Sequence, residues 1–331
     1  MACHRRQFLK TAGRFALASG VLAEAARALA DASGPIAIVD THQHLWDLSR
    51  IQLPWLAGRD LLNRSYLPED YLKAIEGLNV VKAVYMEVAA PVEQHLIEAE
   101  YVLDLCRRDD FLTCAAVLGG RPGEPGFRDY ILRFKDSPFV KGIRQGMGGP
   151  ASQPPFFLEE PFVNGVRLLG ELGMSFDLVP PPHWLQAAAE LVSRCPNTRF
   201  VLDHCGNADV KVFMAAASEK DSAAQEKVDQ WRRGIEAVAK HDRAICKISG
   251  IIARVPAEGW SSADLAPIVN HCLECFGPDR VVFASDWPVC LQGASLRRWV
   301  EVLGEIVASR PAAEQRKLFA ENAIQFYGLT G

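Results

Sequence analysis

The 331-residue chain has no apolar run of the roughly twenty residues that a membrane-spanning helix needs, which excludes a polytopic membrane protein. Its most suggestive stretch, Thr11–Ala30, is broken by Arg14 and Glu24. No stripe of Lys and Arg interleaved with aromatics is present, and the net charge of −4 gives nucleic acid no electrostatic footing. A disulfide framework is missing as well. Of nine cysteines, those beyond Cys3 are scattered singly through apolar stretches, apart from Cys272-Leu273-Glu274-Cys275. His271 beside that pair is half a zinc site without a second half; its spacing suits the buried face of a helix ending at Phe276-Gly277. No internal repeat or low-complexity linker divides residues 35–331, and no glycine-rich phosphate loop follows the first apolar run. What remains, with 49% hydrophobic and 23% charged residues, is a soluble globular protein acting on small molecules or other proteins.

The N-terminus carries His4-Arg5-Arg6-Gln7-Phe8-Leu9-Lys10 before a small-residue apolar stretch ending Ala28-Leu29-Ala30. This resembles a twin-arginine export signal, although His4 stands where Ser or Thr is usual. Residues 1–30 are therefore expected to be the signal, read by the twin-arginine translocase and cleaved after Ala30 or Ala32. Residues 31–331 would be a single domain in the periplasm or otherwise outside the cytoplasm. A chain folded before export can keep buried thiols reduced. Loss of the signal leaves a net charge of about −8, which disfavours anionic partners.

Eight short runs rich in apolar and β-branched residues follow: Ile36–Asp40, Val80–Glu87, Phe111–Leu118, Val140–Arg144, Ser175–Val179, Thr198–His204, Ala244–Ser249 and Val281–Asp286. Between them lie helical periodicities, among them Gln94–Arg108, Pro161–Leu172, His183–Cys195, Lys227–His241 and Ala263–Phe276. Strands alternating with helices imply parallel pairing, and near-continuous apolar runs imply strands buried on both faces. Eight such units predict a (β/α)₈ TIM barrel, with an extra C-terminal helix, Ala312–Tyr327, packed outside. A doubly wound sheet is the alternative, but Asp40-Thr41-His42-Gln43-His44 is not its phosphate loop.

In a barrel of this type the carboxyl ends of the strands form the active-site mouth. Those ends carry His42, His44, Glu87, Arg144, His204 beside Asp203, Ser249 and Asp286, with His183 a few residues past the fifth strand. His42 and His44, two apart on a strand, point to one side and can grip one ion. Asp286 closes a buried apolar strand across from them; a helix cap is one reading, and a general base the preferred one. Arg144 offers a planar fork for a substrate carboxylate or paired hydroxyls, or is bound to a nearby carboxylate. Asp203 alternates with His204 and is expected to face away from the axis.

Val39–Asp47, Lys141-Gly142-Ile143-Arg144, Val201–Gly206, and Phe276–Arg280 through Ser285-Asp286-Trp287-Pro288 together resemble the amidohydrolase superfamily. The nearest branch is the amidohydrolase-related group of L-fuconolactonase-like and 2-pyrone-4,6-dicarboxylate lactonases. The resemblance implies a distorted (β/α)₈ barrel and hydrolysis of a lactone. It places His42, His44 and His204 in the site, Arg144 on the substrate, and Asp286 as the group that activates water. In better-known branches one divalent ion is held by residues corresponding to His42, His44, His183 and Asp286; zinc is the expected metal, and some lactonases of the group use none. Glu87 and His183 are alternative substrate contacts, and Glu87 an alternative ligand. Trp46, Trp55 and Trp287 could stack on a ring or simply pack. The rival readings are a metal-dependent decarboxylase of an unsaturated or aromatic acid, and a non-catalytic binding barrel. A homodimer is compatible with the sequence.

Overall fold

The computed structural model describes residues 34–217 and 221–329; the proposed export signal lies outside them. From Ala37 onward the described residues form one compact unit. All eight apolar runs become parallel strands: β1 (Ile38–Gln43), β2 (Val80–Met86), β3 (Thr113–Gly119), β4 (Val140–Arg144), β5 (Ser175–Leu178), β6 (Arg199–Leu202), β7 (Ala244–Ile248) and β8 (Val281–Phe283). They pair in chain order, β1 through β8, in a single sheet. β1, β5 and β7 are buried at every position, as expected of a parallel sheet covered on its outer face by helices. The predicted helices appear within a few residues of their expected bounds, for example His95–Cys106, Glu160–Glu171, Leu185–Arg194 and Ser262–Phe276. The last begins with a capping box in which the Ser261 amide donates to Asp264 Oδ2 at 2.8 Å.

The barrel closes between β8 and β1 largely through side chains. The Asp40 carboxylate accepts from the Ser285 amide at 2.8 Å and the Ser285 hydroxyl at 2.5 Å. Thr41 donates to the Phe283 carbonyl at 2.7 Å. Past the strand ends, the Asp286 and His44 amides donate to His42 and Trp287 carbonyls at 3.0 and 2.8 Å. Closure and site therefore share the same few residues.

Two expectations are corrected. The C-terminal helix is broken into Ala312–Arg316, a π-helical turn Lys317–Glu321, and Asn322–Tyr327. Rather than lying outside the barrel wall, it covers the amino end of the barrel. Asn322 donates to the Val281 carbonyl at the start of β8, and Ala320, Ala323 and Tyr327 join Val39, Val84, Val201 and Val282 in one apolar cluster. The sixth strand stops at Leu202, because His204 to Asn207 adopt left-handed backbone conformations, with φ of 56°, 50°, 61° and 56°. All eight cysteines among the described residues are free thiols. No described helix is long and apolar enough to cross a membrane.

Under the end of β2 lies a carboxyl that burial holds in its acid form. Glu98 Oε1 accepts from Tyr85 Oη at 3.0 Å and the Val88 amide at 2.8 Å, while Oε2 has no partner. Burial, with the charge of Glu87 nearby, pushes its pKa from 4.5 up to about 8. The folded state thus binds this proton more tightly than the unfolded state, so the stabilisation is full below pH 4.5 and is lost as pH rises towards 8. Glu98→Gln, which mimics the neutral acid, should flatten that decline, with an upper bound of about 5 kcal/mol between the limits. Denaturant titrations of both proteins from pH 4.5 to 8 check this; parallel curves would contradict it.

Candidate active site

At the carboxyl end of the barrel one carboxylate oxygen faces three imidazoles. Asp286 Oδ1 lies 3.7 Å from His42 Nε2, 3.4 Å from His44 Nε2 and 3.9 Å from His204 Nε2. These distances exceed a good hydrogen bond. They match ligand atoms around one ion, since two donors about 2.1 Å from a tetrahedral metal stand about 3.4 Å apart. Among the described residues, His42, His204 and Asp286 offer ligand atoms all within 4.8 Å of one another. The donor set, imidazole nitrogens with a carboxylate, suits a divalent cation of the zinc type.

The partners of each ring indicate which nitrogen faces the site. His44 Nδ1 lies 2.9 Å from the Met86 carbonyl, an acceptor only, so Nδ1 carries a proton and Nε2 faces Asp286. Arg144 Nη1 lies 3.1 Å from His42 Nε2, and on the other side of the ring Nδ1 lies 3.4 Å from Lys247 Nζ and 3.6 Å from Asp203 Oδ1. His204 Nδ1 meets the Ser249 hydroxyl at 3.0 Å. Burial lowers the pKa of His42 and His204, favouring neutral rings. Burial works against ionisation of Asp286, but His204, His44 and His42 outweigh it and hold the carboxyl below its usual range.

Both His204 and Asp286 sit in the left-handed region, Asp286 at φ 57°. For non-glycine residues this conformation costs about 1–3 kcal/mol each and persists only where surroundings impose it. Around His204 they do: Asn207 donates to the Pro180 carbonyl at 2.9 Å, and Trp231 Nε1 to the Cys205 carbonyl at 2.8 Å. Gly250 completes the fit, since a Cβ there would lie 2.5 Å from the His204 side chain.

Beneath the imidazoles is a buried charge network that sequence reasoning missed in part. Lys247 on β7 is fully buried, its Nζ 2.6 Å from Asp177 Oδ2 and 3.0 Å from Asp203 Oδ1. Burial would lower the lysine pKa, but Asp177 and Asp203 raise it above its ordinary value. Asp177 itself is pushed up to about 7 by burial, against the pull of Lys247. Asp203 does not face away from the axis. The left-handed turn beginning at His204 breaks strand alternation, so adjacent residues both reach the barrel interior. The signal for Lys247 and Asp177 was present: each is a lone charge inside an otherwise apolar strand.

Arg144 is held internally. Its Nε donates to Glu87 Oε1 at 2.7 Å and Nη2 to the Glu87 carbonyl at 2.8 Å, while Nη1 lies 3.4 Å from Asp203 Oδ2. Glu87 thus pairs with Arg144 rather than joining the imidazole group. His183 is not brought to that group either. The chain leaves β5 through Val179–Pro181, and the 3₁₀ turn Pro182–Trp184 sets His183 in a separate cavity with Asn207, Asp209 and Trp231. Trp287 is 2% exposed and packed edge-on against Tyr66 and Tyr71, so it is core rather than a stacking platform. Trp46 is likewise buried, whereas Trp55 lines the mouth. Above Asp286 opens a cavity of about 410 Å³ walled by His44, Trp55, Arg144, His204 and Arg254.

A parallel eight-stranded barrel with an imidazole–carboxylate group at the carboxyl ends of its strands defines a (β/α)₈ hydrolase. The amidohydrolase family model (Amidohydro_2) matches residues 39–329, and the chain belongs to that family. It is 28% identical to an L-fucono-1,5-lactonase of Burkholderia multivorans over 88% of this chain and 96% of the relative. An L-rhamnono-gamma-lactonase of Scheffersomyces stipitis is 24% identical over 88% of this chain and 98% of its own. Among solved structures, an amidohydrolase from Burkholderia multivorans with bound Zn superposes with a TM-score of 0.75 at 24% identity, covering 89% of this chain and all of that one.

The buried network gives a direct test. Lys247→Met leaves Asp177 without its cation and Asp203 with Arg144 alone, and should destabilise the fold by about 3–5 kcal/mol. Adding Asp177→Asn should recover part of that loss. Chemical denaturation measures both, and a loss under about 1 kcal/mol for the single variant would show that Lys247 does not hold these charges together.

Proposed function

We propose that the protein hydrolyses a lactone, with Asp286 as the base that takes a proton from the attacking water. The observation that carries this reading is the single carboxylate oxygen faced by three imidazole nitrogens at 3.4–3.9 Å on the floor of an open cavity. The relatives named as sugar lactonases support the same chemistry.

Hydrolysis of a lactone needs a polarised carbonyl, a deprotonated water and a protonated leaving oxygen. Asp286 remains ionised because the surrounding imidazoles favour its charged form, so it can accept the proton as water attacks. As the ring opens, Asp286 can return that proton to the departing alkoxide; the net change is addition of one water to give a hydroxy acid. His42, His44, His204 and Asp286 would hold one divalent ion, which we infer to be zinc. That ion would polarise the carbonyl and acidify bound water. Arg144, fixed by Glu87 and Asp203, orients His42 through its contact at Nε2 and borders the reacting space.

The test is a panel of aldonolactones and ring-cleavage lactones in weakly buffered pH indicator, since ring opening at neutral pH releases a proton. Wild-type protein should acidify the medium with at least one lactone. Asp286→Asn should slow this by about 10²- to 10⁴-fold while lactone binding is retained. Silence across the panel together with CO₂ release from unsaturated or aromatic acids would replace the lactonase reading with decarboxylation.

A further inference from the structure

A motif that the barrel mouth leaves unused lies in the helical layer outside the strands. Helix Ser262–Phe276 packs on helix Ser222–Ala239, and His271-Cys272-Leu273-Glu274-Cys275 occupies the last turns of the former. Its two cysteines do not act as a pair. Cys272 is fully buried and meets the thiols of Cys205 and Cys246, whereas Cys275 is only partly buried. The residue that faces Cys275 is His271, four positions back and so on the same helix face. His271 Nε2 lies 3.6 Å from Cys275 Sγ and 4.0 Å from Glu236 Oε1 on the neighbouring helix. The half-site in the sequence thus meets a further donor that only the fold supplies.

Three features favour an ion here. The first is spacing. Around a tetrahedral zinc-type metal, a sulfur about 2.3 Å away and an imidazole nitrogen about 2.1 Å away stand about 3.6 Å apart, and nitrogen and carboxylate donors about 3.4 Å apart. The Sγ–Nε2 distance has that value already, and the Glu236 side chain, 54% exposed, closes its own gap by rotating. The second is charge. Burial, then the carboxylates of Glu236 and Glu274, push the Cys275 thiol up, and the carbonyl end of the helix adds to the negative field. A divalent cation reverses that balance and draws the thiol into its thiolate form. The third is orientation. The His271 ring rests against Trp231 with centroids 5.2 Å apart, and Trp231 Nε1 is anchored on the Cys205 carbonyl.

We propose that His271, Cys275 and Glu236 form a second metal site, separate from the imidazole–carboxylate group at the mouth, which takes a divalent cation of the zinc class and clamps the two helices together. As the ion binds, the Cys275 S–H bond breaks, its proton passes to solvent, and the sulfur electron pair forms the bond to the metal; no electron is transferred. An ion at this position braces Trp231 and, through it, the turn that carries His204.

Cobalt(II), a spectroscopic stand-in for zinc, gives a near-ultraviolet sulfur-to-metal charge-transfer band only where a thiolate is a ligand. The group at the mouth holds no sulfur, so the band is blind to an ion beside Asp286. The full chain titrated with Co²⁺ should develop this band, and Asp286→Asn should leave it unchanged. Cys275→Ser should abolish it. Glu236→Gln should weaken the Co²⁺ affinity read from it by at least about 10-fold, the smallest loss typical of even an outer partner of a metal ligand. No band in the wild type at millimolar Co²⁺ overturns the site, and so does an undiminished band in Cys275→Ser or an unchanged affinity in Glu236→Gln. Stability gives a second readout: Zn²⁺ should raise the Tm of the wild type by more than that of Cys275→Ser. Equal shifts in the two proteins overturn the clamp.

Discussion

Everything at the mouth of this barrel depends on balancing charge beneath it. Asp177, Asp203 and Glu87 are buried near the carboxyl ends of the strands, where unpaired carboxylates would each cost several kcal/mol. Lys247 and Arg144 neutralise them at distances of 2.6–3.4 Å. That balance lets Asp203 and Arg144 stand on either side of His42, whose Nε2 lies 3.7 Å from Asp286. Without those cations the carboxylates would protonate or draw in water, and the three imidazoles would lose their common target.

Backbone geometry supplies the second half of the site. His204 and Asp286 both occupy left-handed conformations, where the chain departs from β6 and β8. The departure re-aims side chains that strand alternation would have pointed elsewhere, and it lets Asp203 and His204 serve the interior together. The cost is met by ordinary packing: Asn207 and Arg254 clasp the turn after β6, Gly250 leaves room for the His204 ring, and the Asp40–Ser285 contacts close the barrel beside Asp286. The same contacts that seal β8 to β1 therefore fix the position of the Asp286 carboxylate.

Much of this was legible in the chain. The eight apolar runs became eight strands because near-continuous hydrophobic segments of that length bury well only in a covered parallel sheet. His42, His44, His204 and Asp286 stood out because polar groups at the ends of such runs have no packing role. What escaped did so for physical reasons. Lys247 and Asp177 each show as a lone charge in an apolar strand, but they pair 70 positions apart, and which charge answers which leaves no local pattern. Alternation misplaced Asp203 because a run of positive φ values cannot be read from Asp203-His204-Cys205-Gly206-Asn207. The prolines after β5 carried His183 away from the axis, and Trp287, next to Asp286 in sequence, turned into the core between two tyrosines.

If an Asp286-activated water attacks a lactone carbonyl, as we propose, the oxygen of that water enters the new carboxylate. Single-turnover hydrolysis of a lactone that the protein opens, run in ¹⁸O-labelled water and followed by mass spectrometry of the product, tests this. The account predicts one ¹⁸O in the newly formed carboxylate and none in the released hydroxyl. Label in the hydroxyl, or loss of CO₂ in place of ring opening, would contradict it.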